Sequence, residues 1–259
     1  MDPVITSLQN PKVKEVVKLR DRRTREETGL FLIEGYRELK RAVDAGWEIQ
    51  TLFYCPELFL GTNEGALKAK CKAALHCSKE VFAKISYRDR PDGLLAVAPQ
   101  RHLKLTDLKL KKNPFLVVAQ SIEKPGNLGT ILRSCDAAGV DAVIVCDPTT
   151  DMHNPNVVRS SVGTLFTLPV LEASSEETLA FLKQHGIAIV AASPHAKIEF
   201  TKADFTVPLA IVVGTEQYGL TEEWMKEIGV KIPMFGVADS LNVASATTLL
   251  LYEVVRQRN

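Results

Sequence analysis

The chain has 259 residues, 46% hydrophobic and 24% charged, with a formal net charge of +1. These values describe a globular protein of one large domain or two ordinary ones. No apolar run is long enough to span a bilayer, and the five cysteines (Cys55, Cys71, Cys77, Cys135, Cys146) show no CxxC spacing, which argues against a disulfide frame or a zinc site. The first residues, Met1-Asp2-Pro3-Val4, lack the basic-then-apolar form of a secretory signal, so the expected location is the cytoplasm.

Charge is unevenly spread. Residues 1–112 hold 22 Lys and Arg against 15 Asp and Glu, and residues 113–259 hold 10 against 16. A basic front half points to a polyanion as its partner, although any single run of charge reads equally as a solvated face.

Residues 5–29 read as helical and charged, with Lys12, Lys14, Lys18, Arg20, Arg22, Arg23 and Arg25 crowded together. Phe31-Leu32-Ile33 reads as a strand, 36–45 as a helix stopped at Gly46, and Thr51–Tyr54 as a second strand. A basic helix over 64–74, a short helix over 79–84 and a strand over 94–98 complete a small α/β domain, 1–98. Residues 99–112 are polar and basic and read as a linker.

From 113 to 259 the pattern changes to strand-helix alternation. Strands are expected at 116–119, 142–145, 187–191, 209–213 and 230–233, and helices at 127–138, 155–161, 175–185, 221–227 and 242–257. Continuous apolar strands between helices imply an α/β domain: a mostly parallel sheet with helices on both faces. Such sheets bind ligands at the carboxyl ends of their strands.

Three strand-to-helix loops carry unusual residues. The first holds Asn127 and Gly129 and leads to Arg133 on the helix that follows; Asn127 suits a helix cap. The second is Gly214-Thr215-Glu216-Gln217-Tyr218-Gly219-Leu220. The third runs from Ile232-Pro233-Met234 through Gly236 to Ser240-Leu241-Asn242-Val243, where Ser and Asn stand together at a helix entrance with few charges behind them. There is no GxGxxG after a strand, no GxxxxGK[ST], no HExxH and no GxSxG, so no metal site or nucleotide signature is expected. Amides, hydroxyls, one Glu and one Arg suit a cofactor that brings its own reactivity.

In this order the three loops resemble the motifs of the SpoU (TrmH-like) RNA ribose 2′-O-methyltransferases of the knotted SPOUT superfamily. The resemblance runs through Asn127-x-Gly129-x-x-x-Arg133, Gly214-x-Glu216-x-x-Gly219-Leu220, and Ile232-Pro233-Met234 with Ser240-Leu241-Asn242-Val243. The block 154–163, from Asn154-Pro155-Asn156 to Gly163, is similar to the family between its first two motifs. The N-terminal region resembles the family's ribosomal-protein-like RNA-binding domain, on Asn10-Pro11-x-Val13-Lys14, Phe31-Leu32-Ile33-Glu34-Gly35 and Ala45-Gly46. Lys124 stands where the family commonly has an acidic residue, and Ala244 where it commonly has Ser.

The resemblance implies a deep trefoil knot in 113–259, S-adenosyl-L-methionine as cofactor, a homodimer, and methyl transfer to a ribose 2′-OH of structured RNA, with rRNA favoured over tRNA. It implies cofactor contacts from Gly214, Ile232, Met234 and Leu241. It assigns the reacting group to Arg133, Asn127, Glu216, Ser240 and Asn242, with Arg133 either a base or a phosphate clamp. Two other readings remain at this point: a non-catalytic RNA-binding ribosome-assembly factor, and a methyltransferase acting on a base nitrogen.

Overall fold

The computed structural model describes residues 3–214 and 219–259. By packing, the chain divides into two compact units. The first contains the residues up to Arg101 together with Asp151–Thr167; the second contains His102–Thr150 and Leu168–Asn259.

The first unit is built on strands β1 (Val4–Ile5), β2 (Leu30–Glu34), β3 (Thr51–Tyr54), β4 (Ala74–Cys77) and β5 (Leu94–Pro99), ordered β1-β4-β3-β5-β2. β2 and β3 both run antiparallel to β5, and β3 runs parallel to β4. Its helices are α1 (Pro11–Lys18), α2 (Arg22–Thr28), α3 (Tyr36–Asp44), α4 (Glu64–Lys68) and α5 (Lys79–Ile85). Local chemistry sets their ends. Asn10 caps α1 through the N–H of Lys12, with Pro11 at the first helical position. Asp21 and Ser78 cap α2 and α5. Val13 and Val16 of α1 meet Phe82 and Ile85 of α5 in a core that also buries Leu32, Phe53 and Leu95. Burial of each such side chain contributes roughly 1.5–3 kcal/mol.

Two expectations change here. The helix expected over 64–74 ends at Lys68, and Ala74–Cys77 forms a strand instead. His76 on that strand stacks on Tyr54 of β3, 5.1 Å between ring centroids, a cross-strand pair that seats β4 beside β3. The basic cluster of 12–25 is also not one solvated face. Arg25 is only 1% exposed, and both Nε and Nη2 lie 2.7 Å from Asp151 Oδ2. Arg22 and Arg23 pair with Glu26 and Glu27 one turn on.

Helix α7 (Pro155–Ser160) belongs to the first unit by packing, although by chain order it lies within the second region; it packs on β2. Arg41 of α3 donates to the carbonyl of Val162, and Trp47 Nε1 to that of Phe166, which hold this segment down.

The second unit is a 7-stranded sheet, parallel at every pairing, of β6 (Phe115–Gln120), β7 (Ala142–Cys146), β8 (Val170–Ala173), β9 (Ala188–Ala192), β10 (Ile198–Glu199), β11 (Leu209–Val213) and β12 (Ile228–Lys231). The order is β10-β12-β9-β11-β6-β7-β8. Helices α6 (Pro125–Ala137), α8 (Ser175–Gln184), α9 (Glu222–Met225) and α10 (Val243–Arg258) flank it. One face, with Leu116, Val118, Ile144, Ala210 and Val212, packs against Leu182 of α8 and Trp224 of α9. The alternate residues Val117, Val143 and Ile211 are fully buried on the other face, where α10 packs on β11 and α6 packs on α10. The edge strands β8 and β10 escape a sequence reading because they are short, and Pro169 precedes β8.

The basic segment read as a linker is docked over much of its length. Leu105, Leu108 and Leu110 pack against the core of the second unit, and Leu103 bridges to Leu171 of β8. Lys111 pairs with Asp141 at 2.5 Å. The basic residues lie between apolar ones that do the packing, so composition alone concealed the contact.

Candidate active site

The loops singled out in the sequence leave β6, β11 and β12 at their carboxyl ends. β6 and β11 are neighbours in the sheet, and β12 lies beyond β9. Apolar β-branched strands bring the loops to one edge; their polar residues follow where each strand ends.

The loop after β6 is held by the segment that follows β7. Thr149 Oγ1 donates to the Ile122 carbonyl at 2.9 Å and Thr150 Oγ1 to that of Glu123 at 2.5 Å. α6 then starts at Pro125, two residues earlier than expected, so Asn127 sits inside the first turn and is not the cap. Freed from capping, its Oδ1 accepts from Asn242 Nδ2 at 3.2 Å. Asn242 is itself the cap of α10: its Oδ1 accepts from the N–H of Ala244 at 3.0 Å and of Ser245 at 3.4 Å. A single amide thus starts one helix and fastens it to the start of another. Further along, Ser134 and Thr248 hydrogen-bond at 2.7 Å between the same two helices.

Arg133 is not part of that contact. The buried face of α6 carries Leu128, Ile131, Leu132 and Cys135, whereas Gly126, Thr130, Arg133 and Ala137 form its exposed stripe. Among the described residues Arg133 makes no ion pair or hydrogen bond, and its side chain is exposed on α6.

The loop after β11 begins at Gly214. A β-carbon there would lie 2.7 Å from Leu220 Cδ2 and 3.0 Å from the backbone of Gly219, so only glycine permits the chain to return so closely. Gly219 has φ +68°. Glu216 lies outside the described residues. After β12, which ends two residues before Pro233, the chain from Ile232 to Leu241 is neither helix nor strand. Ile232 and Met234 are half-buried, Ser240 and Leu241 exposed, and Phe235 is 95% exposed. These residues offer apolar surface beside backbone groups that no ladder uses.

The model of the SpoU rRNA methylase family matches residues 114–252, and that of an MRM3-like substrate binding domain matches residues 10–96. The chain belongs to the SpoU rRNA methylase family. It is 32% identical over 249 residues to a 23S rRNA (uridine(2479)-2′-O)-methyltransferase of Streptomyces viridochromogenes, covering 92% of this chain and 86% of that one. It is 42% identical to an RNA 2′-O ribose methyltransferase of known crystal structure, with a TM-score of 0.88 and 99% of each chain covered. An AdoMet-bound rRNA methyltransferase from Sinorhizobium meliloti superposes with a TM-score of 0.90 at 32% identity, covering 98% of this chain and 97% of that one.

Within this family framework one polar group escaped the sequence reading. Gln120, buried at the end of β6, donates to Ser175 Oγ and Thr221 Oγ1 and accepts from the N–H of Thr221. Ser175 also receives Trp224 Nε1 and donates to Asp147 at 2.5 Å. This network fixes Thr221, just past the second motif. Its signal was present: one amide at the end of an otherwise apolar strand, where a core residue has no reason to be polar.

Proposed function

We propose that this protein transfers the methyl group of S-adenosyl-L-methionine to a ribose 2′-OH of rRNA. The observation that carries the reading is the Asn127–Asn242 hydrogen bond, which joins the first and third family motifs across 115 residues of chain. Likeness to an AdoMet-bound rRNA methyltransferase over almost the whole chain supports both the cofactor and the class of substrate.

The residues present fit that cofactor. Gly214 lets the chain return closely against Gly219 and Leu220, and Ile232, Met234 and Leu241 offer apolar surface for an adenine ring, beside backbone groups that belong to no strand ladder. When bound, the cofactor supplies an electrophilic methyl carbon on its sulfonium. The chain's own task is to place the 2′-oxygen in line and stabilise charge as its proton passes to solvent water, the methyl carbon's bond to sulfur breaking as its bond to oxygen forms. A guanidinium is cationic at any working pH, so Arg133 holds the target phosphate and steadies the forming alkoxide. Asn127 and Asn242 fix the relation of α6 to α10. Ser240 and Glu216 orient the nucleotide.

Family membership also supports a homodimer, a trefoil knot in the second region, a cytoplasmic location, and functional regions at 1–98 and 113–259 joined by 99–112. The exposed Leu249 and Tyr252 of α10 suit a subunit interface. Among the described residues, no helix is long and apolar enough to cross a membrane. Calorimetry of the full chain with S-adenosyl-L-methionine tests the reading: one cofactor bound per chain supports it, and absence of binding by folded protein overturns it.

A further inference from the structure

The first unit contains a cavity of about 580 Å³, far from the motif loops in sequence and not used by the reaction described above. Its lining includes Tyr36, Arg37, Glu64, Arg88, Asp92 and Arg159. Its volume falls within the range of small-molecule sites.

The polar groups around it are incompletely used. Glu64 is 4% exposed; its Oε1 accepts the N–H of Gly61 at 2.8 Å, while Oε2 is buried with no partner. Asp92 repeats the pattern: Oδ2 accepts the N–H of Tyr36 at 2.7 Å, and Oδ1 is buried without a partner. Arg88 donates from Nη2 to Glu38 Oε1 at 2.8 Å, but its Nε is buried and unpaired. Two half-used carboxylates and one unpaired donor therefore belong to residues that line one cavity. Buried polar atoms are normally satisfied, and each that is not costs free energy until a partner arrives.

Backbone strain marks the same place. Val162 lines the cavity with φ +54°, a left-handed conformation that a β-branched residue rarely takes, and Arg41 holds its carbonyl at 2.6 Å. Gly35, at φ +110°, leaves room for Arg88: a β-carbon there would stand 2.6 Å from the guanidinium.

The charges select a ligand. A bare anion would be repelled by the carboxylates, and a polyamine by the arginines. A molecule with hydrogen-bond donors on one edge and a phosphate at the other end satisfies both. Guanine fits best. Its N1–H and N2–H lie side by side, one donor for the unused oxygen of each carboxylate, and O6 beside them accepts from an Arg. Adenine and cytosine present a ring acceptor next to the amino group, and uracil has a single donor between two carbonyls. Tyr36, half-buried in the lining, offers an aromatic face for stacking. Arg37 and Arg159 are exposed and suited to phosphate.

We propose that this cavity takes one unstacked guanine nucleotide of the RNA substrate, bound through Glu64, Asp92 and Arg88 with its phosphates on Arg37 and Arg159. The proposal rests on the RNA-methyltransferase reading, and makes the first unit a reader of sequence as well as of charge.

The test uses the full chain and five RNAs of the form UUXUU, with X as G, inosine, A, C or U, followed by fluorescence anisotropy with S-adenosylhomocysteine present. The G oligomer should bind about tenfold tighter than the A, C and U oligomers, with inosine, which lacks the 2-amino group, between them. Glu64→Gln and Asp92→Asn should each remove the G advantage, and Arg159→Ala should weaken all five alike. Equal affinity for all five, or an advantage that survives both carboxylate substitutions, overturns the proposal. Should those variants fail to fold, hydrogen exchange on the wild-type protein decides. The G oligomer should protect 60–64 and 88–92 where the U oligomer does not, and equal protection overturns the proposal. Methyl transfer to unmodified rRNA, measured on the same preparation, separates the two readings: transfer without G preference defeats only the cavity, and absence of transfer defeats the enzyme.

Discussion

The two units handle charge in opposite ways. The first buries Arg25, Glu34, Glu38 and Glu64, whereas among the described residues of the second only Glu253 is a buried charged side chain. The second keeps its sheet apolar and reserves polarity for strand ends, where amides and hydroxyls do the joining and Arg133 stays exposed. An apolar sheet tolerates many substitutions of similar volume. A buried ion network does not, because removal of one partner strands the other. The first unit should therefore be the fragile half in mutation and the second the fragile half in catalysis.

The sharpest way to break this contrast is Arg25→Ala. It leaves Asp151 without its cation and two carbonyls, of Leu19 and Arg20, without their donor. We expect a loss of about 3–5 kcal/mol in the first unit, read by urea unfolding with hydrogen exchange over 30–34. A loss below about 1 kcal/mol, the range of an exposed pair, would mean the pair is solvated. The mirror-image substitution in the second unit is Arg133→Ala. It should leave stability and cofactor affinity unchanged and lower turnover by about 10²–10³, the scale for removing one stabilising donor from a developing oxyanion. Wild-type turnover would refute its role.

A finer test concerns Asn242, which caps α10 and holds Asn127. Asn242→Ala should cost about 1 kcal/mol as a lost cap, and Asn242→Gly only a few tenths. If Asn242 also fixes the site through Asn127, the two variants should lose turnover alike despite that difference. Turnover that tracks stability instead would reduce Asn242 to a cap.

The smallest effect expected is a pH dependence at Glu34. Burial raises its carboxyl above the ordinary 4.5, against the opposing pull of hydrogen bonds from Ser86 Oγ at 2.5 Å and the N–H of Tyr87 at 3.0 Å. The folded protein therefore keeps a proton that the unfolded chain has released. Stability from this group is full below about pH 4.5 and is lost as pH rises through the folded value. Wild type should thus lose melting temperature relative to Glu34→Gln between pH 4.5 and 7, and parallel curves would contradict the assignment.

Much of this was legible in the chain. The apolar strands 116–119 and 209–213 announced a parallel sheet, and the three loops announced the family, because continuous hydrophobicity and glycine-bearing strand ends are local signals. Partners distant in sequence were not legible. Nothing near Asn127 says that it gives up capping to meet Asn242. Nothing near Arg25 distinguishes it from Arg22 and Arg23, which pair with neighbours one turn away while Arg25 reaches Asp151. The strand at 74–77 was hidden for the same reason: its partner Tyr54 lies some twenty residues upstream. Packing between remote segments is decided by the fold and leaves no periodicity behind.

Methyl transfer itself is the most direct test of the assigned activity. Purified full-length protein should be incubated with labelled S-adenosyl-L-methionine and rRNA from cells lacking the gene, and the product digested to nucleosides. Label should appear in a single 2′-O-methylated nucleoside and be absent with Arg133→Ala. Label on a base, or none from protein that binds the cofactor, would contradict it.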